Sequence, residues 1–289
     1  MVQHQRNNYP LQKSLELAER VPAIVKSPEP ATIPGQSRII EMIGSPGAGK
    51  STIYNELIRS WDPDCPWEYR QQTKKAGSLE KVIRAITGRR ATEPVVIEGG
   101  LDFINHHPDL AEFLWAHLSD ARTYPYNSYN KRFRSAYFLF RDFCRYQTIM
   151  QGDSEKFFVV DEGLLQRSFL VNNDRTLMEE IVSEYIELIP LPSAIIYLEA
   201  RNLDVIFARL KGRKKTIASH IGLTDWELYK DLETWQYLFS LINEKLKKKN
   251  VEIFRIDSEE QVDTNVALIK DHLRSLTNLQ RSSENNRSI

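Results

Sequence analysis

The 289 residues carry 39 basic and 39 acidic side chains, so global charge gives no case for wholesale binding to nucleic acid or to a membrane surface. The length bounds one large α/β domain or two small ones, and the two cysteines, Cys65 and Cys144, form neither a disulfide framework nor a zinc spacing, which points to a reducing cytoplasm. No apolar run approaches the length of a membrane span, and residues 1–10 lack the apolar core of a signal peptide.

Residues 1–36 read as an N-terminal arm or linker. A short helix over 11–21 precedes Pro22, Pro28, Pro30 and Pro34. Either the segment is an arm ahead of the domain or its helix docks on the domain. Arg38-Ile39-Ile40-Glu41-Met42-Ile43 reads as a buried strand. It runs into Gly44-Ser45-Pro46-Gly47-Ala48-Gly49-Lys50-Ser51-Thr52, and a helix follows with Ile53, Leu57 and Ile58 on its apolar side. Strand, glycine-rich loop and helix in that order are the context of a phosphate-binding loop. Glycines let the backbone turn its N–H groups around an anion, and the helix start adds the positive end of its dipole. Lys50 supplies a mobile charge for β- and γ-phosphates, and the Ser51 hydroxyl is placed to ligate Mg²⁺.

Beyond the loop helix, Trp67-Glu68-Tyr69 suggests a short strand, 78–86 a helix, and 87–94 a basic turn. Val95-Val96-Ile97-Glu98-Gly99-Gly100 reads as the second strand, a β-branched run stopped by paired glycines. Phe157-Phe158-Val159-Val160, Ser193-Ala194-Ile195-Ile196-Tyr197-Leu198 and Val251-Glu252-Ile253-Phe254-Arg255-Ile256 follow as the third to fifth. Helices are expected over 108–118, over 128–149 with Phe133, Tyr137, Phe140 and Cys144 on one stripe, and over 175–189. Capping boxes at Thr224/Glu227 and Ser258/Gln261 start two more. This alternation predicts a three-layer, doubly wound α/β domain over 37–278 with a parallel sheet of about five strands, a lid over about 201–222, and a polar tail over 279–289.

Ligands of open α/β sheets sit beyond the carboxyl ends of the strands. There the third strand ends in Asp161-Glu162, and an apolar run ending in aspartate suits a Mg²⁺-positioning acid. Glu162 has three readings: orienting a water, supporting the metal, or capping a helix over 164–170. Glu98, with Asp102 after it, is placed to hold or deprotonate a substrate hydroxyl. Arg201, Arg209, Lys211, Arg213, Lys214 and Lys215 follow the fourth strand. Arg209 and Arg213 share a face if the segment is helical, and such a lid brings positive charge over a migrating phosphoryl group. A second basic group, Arg122, Lys131, Arg132, Arg134, Arg141 and Arg145, is interleaved with Tyr124, Tyr126, Tyr129 and Tyr137. It reads either as substrate recognition, with Arg134 and Arg141 the residues named for it, or as the solvent face of a long helix. His106-His107 has no third ligand at a useful spacing and reads as loop.

On these residues the chain resembles the P-loop nucleoside and nucleotide kinases, the thymidylate-kinase and deoxynucleoside-kinase group. Gly44 to Thr52 looks like their phosphate loop, Glu98 like the carboxylate near the substrate hydroxyl, and Asp161 like the acid of their Asp-Arg or Glu-Arg motif. Tyr197-Leu198 with Arg209 and Arg213 resembles their strand and lid, and Val251 to Asp257 their last strand. Where the family has arginine after the strand-end acid, this chain has Glu162, which leaves room for hydrolysis. No Asn-Lys-x-Asp guanine-reading motif occurs, since Arg132-Phe133 follows Asn130-Lys131. The resemblance implies a P-loop NTPase fold with a helical lid, and ATP- and Mg²⁺-dependent phosphoryl transfer to a small-molecule acceptor, a nucleoside or nucleotide. Lys50, Glu98, Asp161, Glu162, Arg209 and Arg213 would be its catalytic residues. The alternatives are an ATP-hydrolysing switch that contacts a partner and a nucleotide-binding fold with a structural role. The partner expected is the small-molecule acceptor, not membrane or nucleic acid, and the assembly allowed for is a homodimer.

Overall fold

Strand β1 (Ile39–Gly44) is buried on both faces along its whole length, as its run of apolar side chains requires. Its neighbours are β3 (Phe157–Val160) and β4 (Ala194–Glu199), both parallel to it, with Ile39 opposite Phe158 and Ile40 opposite Ala194. Short β2 (Trp67–Glu68) flanks β3, and β5 (Glu252–Asp257) flanks β4, so the order is β2-β3-β1-β4-β5. The computed structural model describes residues 37–69, 97–120, 129–152, 154–213, 216–217 and 220–287.

Alternation along β1 sends Ile39 and Ile43 to one face and Ile40 and Met42 to the other. The first face is covered by α2 (Ile97–His106), α3 (Pro108–Ser119), α4 (Tyr129–Gln151), α5 (Arg175–Leu188) and α7 (Asp225–Lys248). The second is covered by α1 (Lys50–Arg59) and α8 (Val262–Arg287). The result is a three-layer α/β fold. A smaller cluster of Ile206, Leu210, Leu228 and Leu232 joins α6 (Leu203–Lys211) to α7. The expected capping box starts α7: the Glu227 N–H donates to Thr224 Oγ1 at 3.2 Å, and the Thr224 N–H to Glu227 Oε2 at 2.7 Å. Among the described residues no helix is long and apolar enough to cross a membrane.

Several expectations need correction. Ile97-Glu98-Gly99-Gly100 is not a strand; it opens α2, and β2 takes the remaining place in the sheet. The paired glycines serve helix packing instead of ending a strand. A Cβ on Gly100 would stand 2.6 Å from Cys144 Sγ and 2.6 Å from Phe140 Cζ, so α2 lies close on α4, with Phe103 stacked on Phe143 at 4.6 Å between centroids. On α4 the expected stripe is rotated. Phe133 and Tyr137 are exposed, and Leu139, Phe143 and Tyr146 are buried with Cys144. Residues 164–170 form no α-helix, only a 3-10 turn at Ser168–Leu170, because the backbone before it is committed to Glu41, described below. The Ser258 N–H is bonded to the Glu199 carbonyl at 2.8 Å, and α8 begins only at Val262, so Ser258 is not its cap. The same helix runs through residues 279–287, where the sequence suggests a tail. The arm 1–36, the helix 78–86, the turn 87–94, Val95, Val96, Arg122, Tyr124, Tyr126, Lys214, Lys215 and the side chains of Tyr129 and Lys131 lie outside the described residues.

Candidate active site

The phosphate loop leaves β1 at Gly44 and turns where the Ala48 N–H donates to the Ser45 carbonyl at 3.1 Å. Gly47 and Gly49 both take positive φ, at 88° and 92°, in the left-handed region that glycine occupies without strain. Helix α1 then begins with no side-chain cap and no acid in its first turn. By contrast, α5, α6 and α7 start on capping side chains, Asp174, Asn202 and Thr224. An uncapped start leaves the first N–H groups and the positive dipole end for an anion. Lys50 bends back into the loop, its Nζ donating to the Gly44 carbonyl at 2.6 Å and to the Ser45 carbonyl at 3.2 Å. A Cβ on Gly47 would meet Ile206 and Leu210 side-chain carbons at 2.9 Å, so the loop rests directly on α6.

Burial lowers the Lys50 ammonium to about 8; Glu162 and Asp161 pull it upward, while Arg213 pushes it further down. The charges of Glu162, Asp161 and Arg213 therefore all act on Lys50. Glu162 is exposed at the surface, yet enough protein crowds it that desolvation raises its carboxyl; Asp161 adds to that, and Lys50, Arg145 and Arg141 oppose it.

A carboxylate inside β1 builds this arrangement. Glu41 is fully buried, and its Oε1 accepts from the N–H groups of Leu165 at 2.7 Å, Gly163 at 3.0 Å and Gln166 at 3.2 Å. Its Oε2 accepts from the Tyr146 hydroxyl at 2.8 Å. Burial raises the Glu41 carboxyl, and the bonds from Tyr146, Leu165 and Gln166, with the charge of Arg167, counter it. Gly163 has to be glycine at this contact, because a Cβ there would lie 2.5 Å from Glu41 Cδ. The folded loop then reaches back to the phosphate loop, where Gln166 Oε1 accepts from the Gly44 N–H at 3.0 Å. Arg145 and Arg167 both donate to the Glu162 carbonyl, at 2.9 and 3.4 Å, and both pair with buried Asp142. Burial lowers the Arg167 guanidinium to about 10. Two arginines on one aspartate thus fix the backbone of Glu162, whose charge acts on Lys50.

A five-stranded parallel sheet with a glycine-rich loop after its central strand and an uncapped helix behind that loop defines the fold. It is a P-loop NTPase fold.

No family model matches the chain, and no curated protein matches it. Solved structures similar to it include two of deoxyadenosine kinase from M. mycoides. The one with dCMP and dCDP products has 18% identity over 82% of this chain and 99% of that chain, TM-score 0.40. The one with bound dATP has 20% identity over 82% and 98%, TM-score 0.41. Shikimate kinase from Bacteroides thetaiotaomicron has 12% identity over 82% and 98%, TM-score 0.37. Likenesses this distant identify neither an activity nor a substrate.

Of the residues singled out in the sequence, Lys50, Asp161, Glu162, Arg213, Arg141 and Arg145 act electrostatically on one another at the loop. Ser51 is exposed at the first turn of α1, and Thr52 follows it. Arg209 is exposed on α6, which ends at Lys211, so Arg213 lies past the Gly212 cap and shares no helix face with it. Glu98 and Asp102 are exposed on α2. Arg134 stacks over Phe138 at 5.5 Å, and Arg141 over the same ring at 5.1 Å. Arg132 donates to the Ser119 carbonyl at 2.8 Å. Residues unnoticed in the sequence are Glu41, Asp142, Tyr146, Gln166 and Arg167. Glu41 had a signal, since a carboxylate in the middle of an apolar strand must find partners when buried. Asp142 and Tyr146 share a helix face at i,i+4, but no spacing rule links that face to Gln166 and Arg167.

Proposed function

We propose that the protein transfers the γ-phosphoryl group of ATP to the hydroxyl or phosphate of a small molecule, a nucleoside or nucleotide being the class favoured. The observation that carries this reading is Lys50 folded into the loop, with the charges of Glu162, Asp161 and Arg213 acting on it. A nucleotide triphosphate would take over the lysine from the Gly44 and Ser45 carbonyls, and its charge would answer the uncapped start of α1. Mg²⁺ prefers a few hard oxygens alongside phosphates and water, and the donor set suits it: the exposed Ser51 hydroxyl and the half-buried Asp161 carboxylate. When bound, the ion would neutralise phosphate charge.

Glu162 has the raised carboxyl that accepting a proton from an attacking hydroxyl calls for. Arg213, with Arg209 of the lid, would stabilise charge on the transferring group. The acceptor would enter on the side of α2 and α4, where Glu98, Asp102 and Arg134 are exposed and the charge of Arg141 acts on Glu162. Catalysis in this arrangement is positioning and charge stabilisation.

The second reading, ATP hydrolysis by a switch protein, is favoured by the same Glu162 acting on water. One assay separates the two: ADP release from MgATP with and without a pool of nucleosides, nucleotides and hydroxylated metabolites, for wild type and Lys50→Ala. Release that needs the pool and is lost in the variant supports transfer. Equal release without the pool supports hydrolysis.

A further inference from the structure

A cleft of about 650 Å³, lined by no residue of the phosphate loop, lies between α7 and the strands β4 and β5. None of the residues of the candidate active site lines it. The most buried polar residue of its lining is Asn243, only 2% exposed, and neither the oxygen nor the nitrogen of its amide has a hydrogen-bond partner. A buried amide with both atoms unpaired is costly, and native folds rarely keep one unless something pairs with it.

The rest of the lining says what that partner would be. Arg255 pairs with Glu199 at 3.1 Å and Lys230 with Glu233 at 2.7 Å, so these four charges cancel. Arg175, exposed at the start of α5, rests over the Tyr237 ring at 4.6 Å, and among the described residues no carboxylate pairs with it. The cleft therefore carries one uncompensated positive charge on Arg175 and, in its lining, one buried amide with neither atom paired. An asparagine amide matches the neighbouring donor and acceptor on the edge of a nucleobase. A guanidinium matches a phosphate. The volume lies within the range of small-ligand sites.

We infer that this cleft is a second ligand site, which takes a nucleoside monophosphate with its base on Asn243 and its phosphate at Arg175. The site is independent of ATP binding at the loop.

Calorimetric titration of the full chain carrying Lys50→Ala tests this, with AMP, GMP, CMP, UMP and ribose 5-phosphate as probes. At least one nucleotide should bind one per chain, and ribose 5-phosphate, which lacks a base, should bind at least tenfold more weakly. Adding Asn243→Leu should weaken the nucleotide at least tenfold. So should Ser240→Trp, which fills the cleft from an exposed position and leaves the core alone; it decides the matter if the leucine variant fails to fold. The inference is overturned if none of the four nucleotides binds, which would leave a water-filled cleft. It is also overturned if ribose 5-phosphate binds equally well, or if the folded variants bind as tightly as their parent.

Discussion

Lys50 makes nucleotide binding depend on pH in a calculable way. Burial holds its ammonium at about 8 in the free protein. Bound to a triphosphate, the lysine is protonated, because the phosphates favour the charged form. Above pH 8 the free protein has lost that proton, so binding must take one up, and affinity falls as pH rises. Phosphate groups have finished titrating by about pH 7.5 and add nothing above it. With a free-state value of about 8, the dissociation constant for MgATP should rise about 25-fold between pH 7.5 and 9.5, about 1.9 kcal/mol. Calorimetry in two buffers of different ionisation enthalpy reads both the affinity and the proton uptake, which should approach one proton per ATP at the alkaline end. A flat affinity over this range, with no proton taken up, would refute the reasoning.

Arg213→Gln removes a charge that pushes Lys50 down, so the midpoint of the same pH profile should move upward; an unmoved midpoint would remove Arg213 from the site. Glu41→Ala leaves the Tyr146 hydroxyl and three backbone N–H groups without their acceptor, and urea denaturation should show a loss of about 3–5 kcal/mol. A loss below about 1 kcal/mol would mean that the loop after β3 does not depend on Glu41. Gly47→Ala forces a side chain to a φ of 88° and against Ile206 and Leu210. It should cost about 1–2 kcal/mol in thermal unfolding and weaken ATP binding, and an unchanged melt would contradict the contact between loop and α6.

Strands β1, β3 and β4 were legible because each is a short, largely apolar run that a covered parallel sheet demands, and the edge strand β5 because Phe254 and Ile256 alternate with exposed Arg255. The run over 95–100 failed for a physical reason: over six residues, β-branching and terminal glycines describe a strand end and a close helix crossing equally well. Only the approach of Gly100 to Cys144 and Phe140 separates them. Trp67-Glu68 is too short for pattern to weigh heavily, and its place beside Phe157 and Phe158 is a tertiary fact. The phosphate loop was legible in full because its chemistry is local. The bracing of Glu162 was not: Asp142 and Arg145 are an ordinary i,i+3 pair on α4, and Arg167 and the Glu162 carbonyl join them only through the packing of α4 on the loop after β3.

The central claim is best tested by following the terminal phosphate itself. The protein is incubated with ATP labelled at the γ-phosphate, Mg²⁺ and the pool of nucleosides, nucleotides and hydroxylated metabolites, beside Lys50→Ala, and the products are separated. The account predicts label in a new organic phosphate, formed only by the wild type and only with the pool present. Label found solely as inorganic phosphate, whether or not the pool is added, would contradict it.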